Sequence, residues 1–192
     1  MKLSRVKGIV KRDGACRIVQ TEETTNMISQ WVGGERAFYP VREVRIGYST
    51  LQVAWELPAE EWQAMIECAE SEPLLVTRVL EHAPATIDKA SARDNVAAVV
   101  NGWTVVVQGG RVWCVDGELL TPCRGKKHMH LVPVEQGDIL DENGEPVTVP
   151  EGVILVYDGA QLEGVVCAAA PGRCREIVNK CRMIGDKEPV GC

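Results

Sequence analysis

"SQWVGGERAFYPVR", residues 29–42, reads as two short strands folded back on a Gly33-Gly34 turn. A second stretch, "VWCVDGELLTPCR" at 112–124, has the same build. Upstream, "GIVKRDGACRIVQ" faces "AVVNGWTVVVQ": an apolar helix end, a Gly turn, then a strand ending in Val-Gln. Downstream, Trp31 is followed nine residues later by Pro40 and then Val41-Arg42, and Trp113 nine residues later by Pro122 and then Cys123-Arg124. Four features agree in order and spacing. They predict one small module used twice, a degenerate duplication over 1–72 and 86–160; the alternative is chance similarity between two helix–strand–hairpin segments.

Each module would set a helix against a small antiparallel sheet, so the expected fold class is α+β. The expected division is a helix/hairpin module over 1–72, a second, strand-rich module over 73–160, and a C-terminal helical segment over 161–192. The chain of 192 residues is 45% apolar and 25% charged, enough for a real core and the ordinary charge of a globular protein. With one Phe and three Tyr against five Trp, aliphatic side chains must fill that core, and Val-rich runs favour strands.

Working outward, Leu3, Val6 and Val10 mark a helix over 3–11, and "ACRIVQ" (15–20) a strand. "LPAEEWQAMIECAES" (57–71) is the clearest helix: Pro58 suits its first turn, Glu60 and Glu61 oppose the dipole, and Trp62, Met65, Ile66 and Ala69 form its apolar stripe. Residues 72–86 fit strand or helix, and "DKASARDNVAAVV" (88–100) reads as helical. "WTVVVQGGRVWCVDGELLTP" (103–122) predicts a three-strand meander with turns at Gly109-Gly110 and Asp116-Gly117. "HMHLVPV", "EPVTVP" and "GVILVYDG" add strands, and 161–170 and 173–183 read as short helices around Pro171-Gly172.

The net charge of −6 argues against general binding to a phosphate backbone. Its distribution is uneven. Residues 1–17 carry six basic side chains against Asp13 alone, 135–163 carry eight acids with no Lys or Arg, and Arg173, Arg175, Lys180, Arg182 and Lys187 make the C-terminus basic. These are either solvated faces attracting one another across the fold, or a basic site for an anionic ligand. No secretory signal or membrane span is read from the sequence, so a soluble, cytoplasmic protein is expected.

Three constellations carry candidate chemistry. Trp31 and Trp113, with Arg36, Arg42, Arg111 and Arg124 beside them, supply the residue types that stack a base and hold an anion; core packing is the competing role for the tryptophans. Cys123, His128 and His130 form one loose set of zinc-type ligands, with Cys114 or His82 as a fourth, against the plainer reading of a surface strand with two solvated histidines. Cys167, Cys174 and Cys181 recur every seven residues, a spacing that suits buried helix packing more than thiol chemistry. The eight cysteines include no CxxC pair. There is no G-x-S-x-G elbow, phosphate-cradling Gly loop or H-E-x-x-H, and the expectation is that no residue is catalytic.

"GACRIVQ…SQWVGGERAFYPV", leading into "LPAEEW", resembles small uncharacterised accessory proteins carried by prophages of Gram-positive gut bacteria, over roughly the first 65 residues. The resemblance implies a phage accessory protein of the kind that includes host-factor inhibitors and counter-defence proteins; it assigns no residue a role. The expected function is therefore non-enzymatic: sequestering a small anionic ligand such as a signalling nucleotide, or occupying a host protein, with homo-oligomerisation through unpaired strand edges. No cofactor is expected unless the cysteine–histidine set holds zinc, as a zinc-binding protein or metal-dependent enzyme. A virion structural component is the third alternative.

Overall fold

The computed structural model describes residues 3–22, 28–42, 45–71, 79–80, 82–84, 96–123, 129–141, 143–148 and 152–185. Five helices and nine strands are defined among them, an α+β arrangement. They are α1 (Leu3–Asp13), β1 (Arg17–Glu22), β2 (Ile28–Gly33), β3 (Ala37–Val41), α2 (Tyr48–Trp55), α3 (Ala59–Ser71), β4 (Val96–Val100), β5 (Trp103–Gln108), β6 (Arg111–Asp116), α4 (Gly117–Leu120), β7 (Met129–Pro133), β8 (Val153–Asp158), β9 (Gln161–Cys167) and α5 (Pro171–Gly185).

The strands make a six-stranded antiparallel sheet, ordered β1-β2-β3-β9-β8-β7, and a three-stranded sheet, β4-β5-β6. The large sheet is two meanders, β1-β2-β3 and β7-β8-β9, joined where β3 meets β9 at Ala37↔Val166 and Phe38↔Val165. Each meander presents its last strand to the other, and β4-β5-β6 stands apart as its own sheet.

Side chains alternate across the large sheet, and both faces are buried. Val32, Tyr39, Ile154, Val156 and Val166 face one cluster with α1, α2 and α3. Trp31, Phe38, Leu155, Tyr157 and Val165 face a second cluster with Val79, Leu80, Val134 and Ile139. Tyr39 is fully buried, and its hydroxyl donates to the Leu119 carbonyl of α4. Burial pushes the Tyr39 phenol well above its ordinary value. On the other face, the Tyr157 hydroxyl donates to the Pro84 carbonyl at 2.9 Å.

The small sheet is itself a middle layer. Val106 and Val115 join the helical cluster, whereas Val105 and Cys114 meet Cys174 and Ile177 of α5. Its tight turns match its sequence: Asn101 and Gly102 (φ 49° and 82°) and Gly109 and Gly110 (φ 57° and 77°) take the left-handed conformation a two-residue hairpin requires.

Several expectations are corrected. The segment 96–100 is strand β4, because Val96, Val99 and Val100 are β-branched and pair with β5. Residues 161–167 are strand β9, held between β3 and β8, and a division at 160 would cut through the β8–β9 hairpin. The Asp116-Gly117 pair does not turn a third strand: Asp116 Oδ1 accepts from the Glu118 N–H at 3.0 Å and caps α4. Helix α2 lies where the sequence predicts no element, and it ends where Glu56 adopts φ 51° and returns its N–H to the Gln52 and Val53 carbonyls. "EPVTVP" yields one bridge, Leu140↔Pro146, rather than a strand among the described residues.

The expected duplication is not confirmed. The first copy continues from β2 into β3, while its counterpart after β6 enters α4 and a turn at Pro122. A shared core runs through both expected modules: Val6 and Val10 of α1 lie in one cluster with Val106, Val115 and Leu131. No described helix is long and apolar enough to cross a membrane.

Candidate functional site

A groove of about 1070 Å³ opens along the seam between the two sheets, with α5 as one wall. Arg111 and Trp113 on β6 line it, as do Glu135 and, from the first turns of α5, Cys174, Arg175 and Asn179. The linker from β9 into α5, Ala168-Ala169-Ala170, lines the remaining side. It is pinned to both sheets: the Ala168 N–H donates to the Gly152 carbonyl at 2.6 Å, and that of Ala169 to the Cys114 carbonyl at 2.7 Å. Small side chains there keep the groove wide, and the two bonds set where α5 begins.

The groove's lining carries two guanidinium groups, Arg111 and Arg175, against the carboxylate of Glu135. Arg111 pairs with Glu135 at 3.2 Å, but both side chains are more than half or half exposed, where such a contact is worth at most about 1 kcal/mol. Arg175 has no ion-pair partner among the described residues. Helix α5 runs fifteen residues from Pro171, so the N–H groups of its first turn and its positive dipole end lie at this wall. Arg173, in the same turn, sits 6.0 Å from the Trp103 ring centroid and pairs with Glu176 at 2.7 Å. Trp113 is half-buried: it packs against the helical core cluster and lines the groove as well.

Of the six residues expected to bind a ligand, the structure brings Arg111 and Trp113 together. Trp31 is instead core, 6% exposed, with its indole N–H donating to the Thr21 hydroxyl at 3.1 Å. Arg36 is engaged by Asp13, whose side chain is 1% exposed: Oδ1 accepts from Nε at 2.8 Å and Nη2 at 2.6 Å, and Oδ2 from the Arg36 backbone N–H at 3.2 Å. Arg42 donates to Glu163 Oε1 at 2.6 Å and to the Leu162 carbonyl. Arg124 lies outside the described residues. These arginines tie loops to the fold because each meets a buried carboxylate. Arg175, absent from the expected set, sits within the basic C-terminal run that the sequence displays.

The expected zinc ligands Cys123 and His130 are both described, and His128 is not. Cys123 is buried, its thiol donating toward the Glu163 carbonyl at 3.7 Å. Burial, with the neighbouring Glu163 charge, pushes that thiol up to about 12. His130 Nδ1 is buried without a hydrogen-bond partner among the described residues. No group of three His, Cys, Asp or Glu suited to a metal occurs among the described residues. Burial likewise raises Cys16 to about 12 and Cys167 to about 11, which disfavours their thiolates at neutral pH.

No family model, curated protein or solved structure matches this chain.

Proposed function

We propose that the protein is a non-enzymatic binding protein that sequesters a small anionic ligand, of the signalling-nucleotide class, in the groove between β6 and α5. The observation that carries this reading is the convergence of Arg111, Trp113 and Arg175 on one groove at the N-terminal end of a long helix. Two guanidinium groups and a helix N-terminus favour phosphate, and an indole offers a surface on which a base can stack. The resemblance of the first 65 residues to prophage accessory proteins supports placing this activity in counter-defence, inside a host cell.

The test is a titration of the full chain with cyclic dinucleotides, nucleoside mono-, di- and triphosphates and inorganic phosphate, followed by tryptophan fluorescence and calorimetry. At least one nucleotide is expected to bind. Arg175→Glu should weaken it about tenfold to a hundredfold, since a charge-assisted contact is lost and a repulsion added. Trp113→Ala should weaken nucleotide far more than inorganic phosphate. Binding that survives both substitutions, or no binding by any of these anions, would place the function elsewhere.

A further inference from the structure

Cys114 and Cys174 are sixty residues apart in sequence, yet their sulfurs lie 2.8 Å from each other. That separation is well inside the ~3.5–4.0 Å at which unbonded heavy atoms pack best. Cys114 sits on β6 and is fully buried, whereas Cys174 is 6% exposed, in the first turn of α5, with an edge on the groove. The two side chains are half of a four-residue buried cluster, completed by Val105 and Ile177, through which α5 packs on the small sheet. Backbone bonds brace the pair: the Ala169 N–H reaches the Cys114 carbonyl, and the Cys174 N–H reaches the Ala170 carbonyl at 2.9 Å.

We propose that Cys114 and Cys174 are a redox-active dithiol whose disulfide fastens the N-terminal turn of α5, and with it one wall of the groove, to β6. The proposal is independent of what the groove binds. The oxidant is a low-molecular-weight disulfide such as oxidised glutathione. Cys174, reachable from the groove, attacks as thiolate and breaks the oxidant's S–S bond, expelling one small thiolate and leaving a mixed disulfide on Cys174. Cys114, as thiolate, then attacks Cys174 Sγ and expels the second. The two protein thiols lose two electrons and two protons; the oxidant gains both as two small thiols. In a reducing compartment such a bond is transient and reports oxidant.

The experiment uses the full reduced chain, incubated with oxidised glutathione, quenched in acid, alkylated and mapped by mass spectrometry without reduction. A peptide pair joined through Cys114 and Cys174 is expected, lighter by two hydrogen atoms than the separate peptides. A rise in Tm of about 5–15 °C should accompany it and be reversed by dithiothreitol. Recovery of both cysteines alkylated, a glutathione adduct that persists on Cys174, or a joined pair with no rise in Tm would each overturn the proposal. Cys174→Ser should abolish the rise; the mapping stands on the unaltered chain if that variant does not fold.

Discussion

Gly33→Ala should be among the most damaging single substitutions in this chain, lowering stability by about 3 kcal/mol or more. A Cβ on Gly33 would lie 2.0 Å from the Ala37 carbonyl oxygen and 2.8 Å from the Phe38 Cα, and both are backbone atoms with no rotamer to escape into. Gly33 is paired on both sides, with Arg17 of β1 and Phe38 of β3, so β2 cannot shift sideways. Relief would require opening the β2–β3 hairpin. Since β3 is the strand that joins β9, the damage would pass to the middle of the large sheet. Gly8→Ala is the control: nothing lies within 4 Å of its Cβ, and a helix interior gains about 0.5–1 kcal/mol from Ala over Gly. Urea denaturation of the two variants should move the midpoint in opposite directions; equal midpoints would show that the hairpin is not packed as described.

Arg36→Ala should cost about 3 kcal/mol, the lower end of the range for breaking a buried ion pair, because the Arg36 side chain is 40% exposed. The loss comes from the partner left behind, an Asp13 carboxylate 1% exposed. Asp13 ends α1 and reaches across to the Gly34-Glu35-Arg36 turn, so the pair fixes the angle of that helix on the hairpin. Asp13→Asn combined with Arg36→Ala should be less destabilised than Arg36→Ala alone, since the amide oxygen still accepts from the backbone N–H at position 36 and no charge is stranded. A single variant within 0.5 kcal/mol of the parent in urea would contradict this assignment. Ligand binding in Arg36→Ala should be unchanged wherever the variant stays folded, which separates this arginine from Arg175.

The local elements were legible where a side-chain period was unbroken. Helices α1 and α3, strands β1, β2, β3, β5 and β6 and strand β8 follow from apolar spacing and Gly turns. The errors have a common physical source: segments whose partners lie far away in sequence. "VAAVV" has Ala enough for a helix, and only pairing with β5 makes it β4. "QLEGVVC" is paired along both edges with β3 and β8 and packed on both faces by the two core clusters, which erases the alternation that marks a half-exposed strand. Helix α2 has a weak apolar stripe, with Leu51 and Trp55 buried and Val53 exposed.

The candidate site was half legible. Arg111 and Trp113 stand out as an aromatic with a nearby cation, and the C-terminal basic run carries Arg175. What the sequence concealed is which arginines already answer a buried acid. Arg36 and Arg42 look the same as Arg111 in sequence, and the difference lies in Asp13 and Glu163, whose burial depends on the tertiary fold. The approach of Cys114 to Cys174 was hidden for the same reason, since the spacing of Cys174 pointed instead to its sequence neighbours Cys167 and Cys181.

An anion held in the groove between β6 and α5 would travel with the purified chain. Native mass spectrometry of the full chain, purified from cells and compared with its denatured mass, tests for it most directly, with Arg175→Glu measured alongside. A non-covalent adduct of nucleotide mass on the parent chain, absent from the variant, is the predicted result. A zinc-mass adduct in its place, or a nucleotide adduct that Arg175→Glu retains in full, would contradict it.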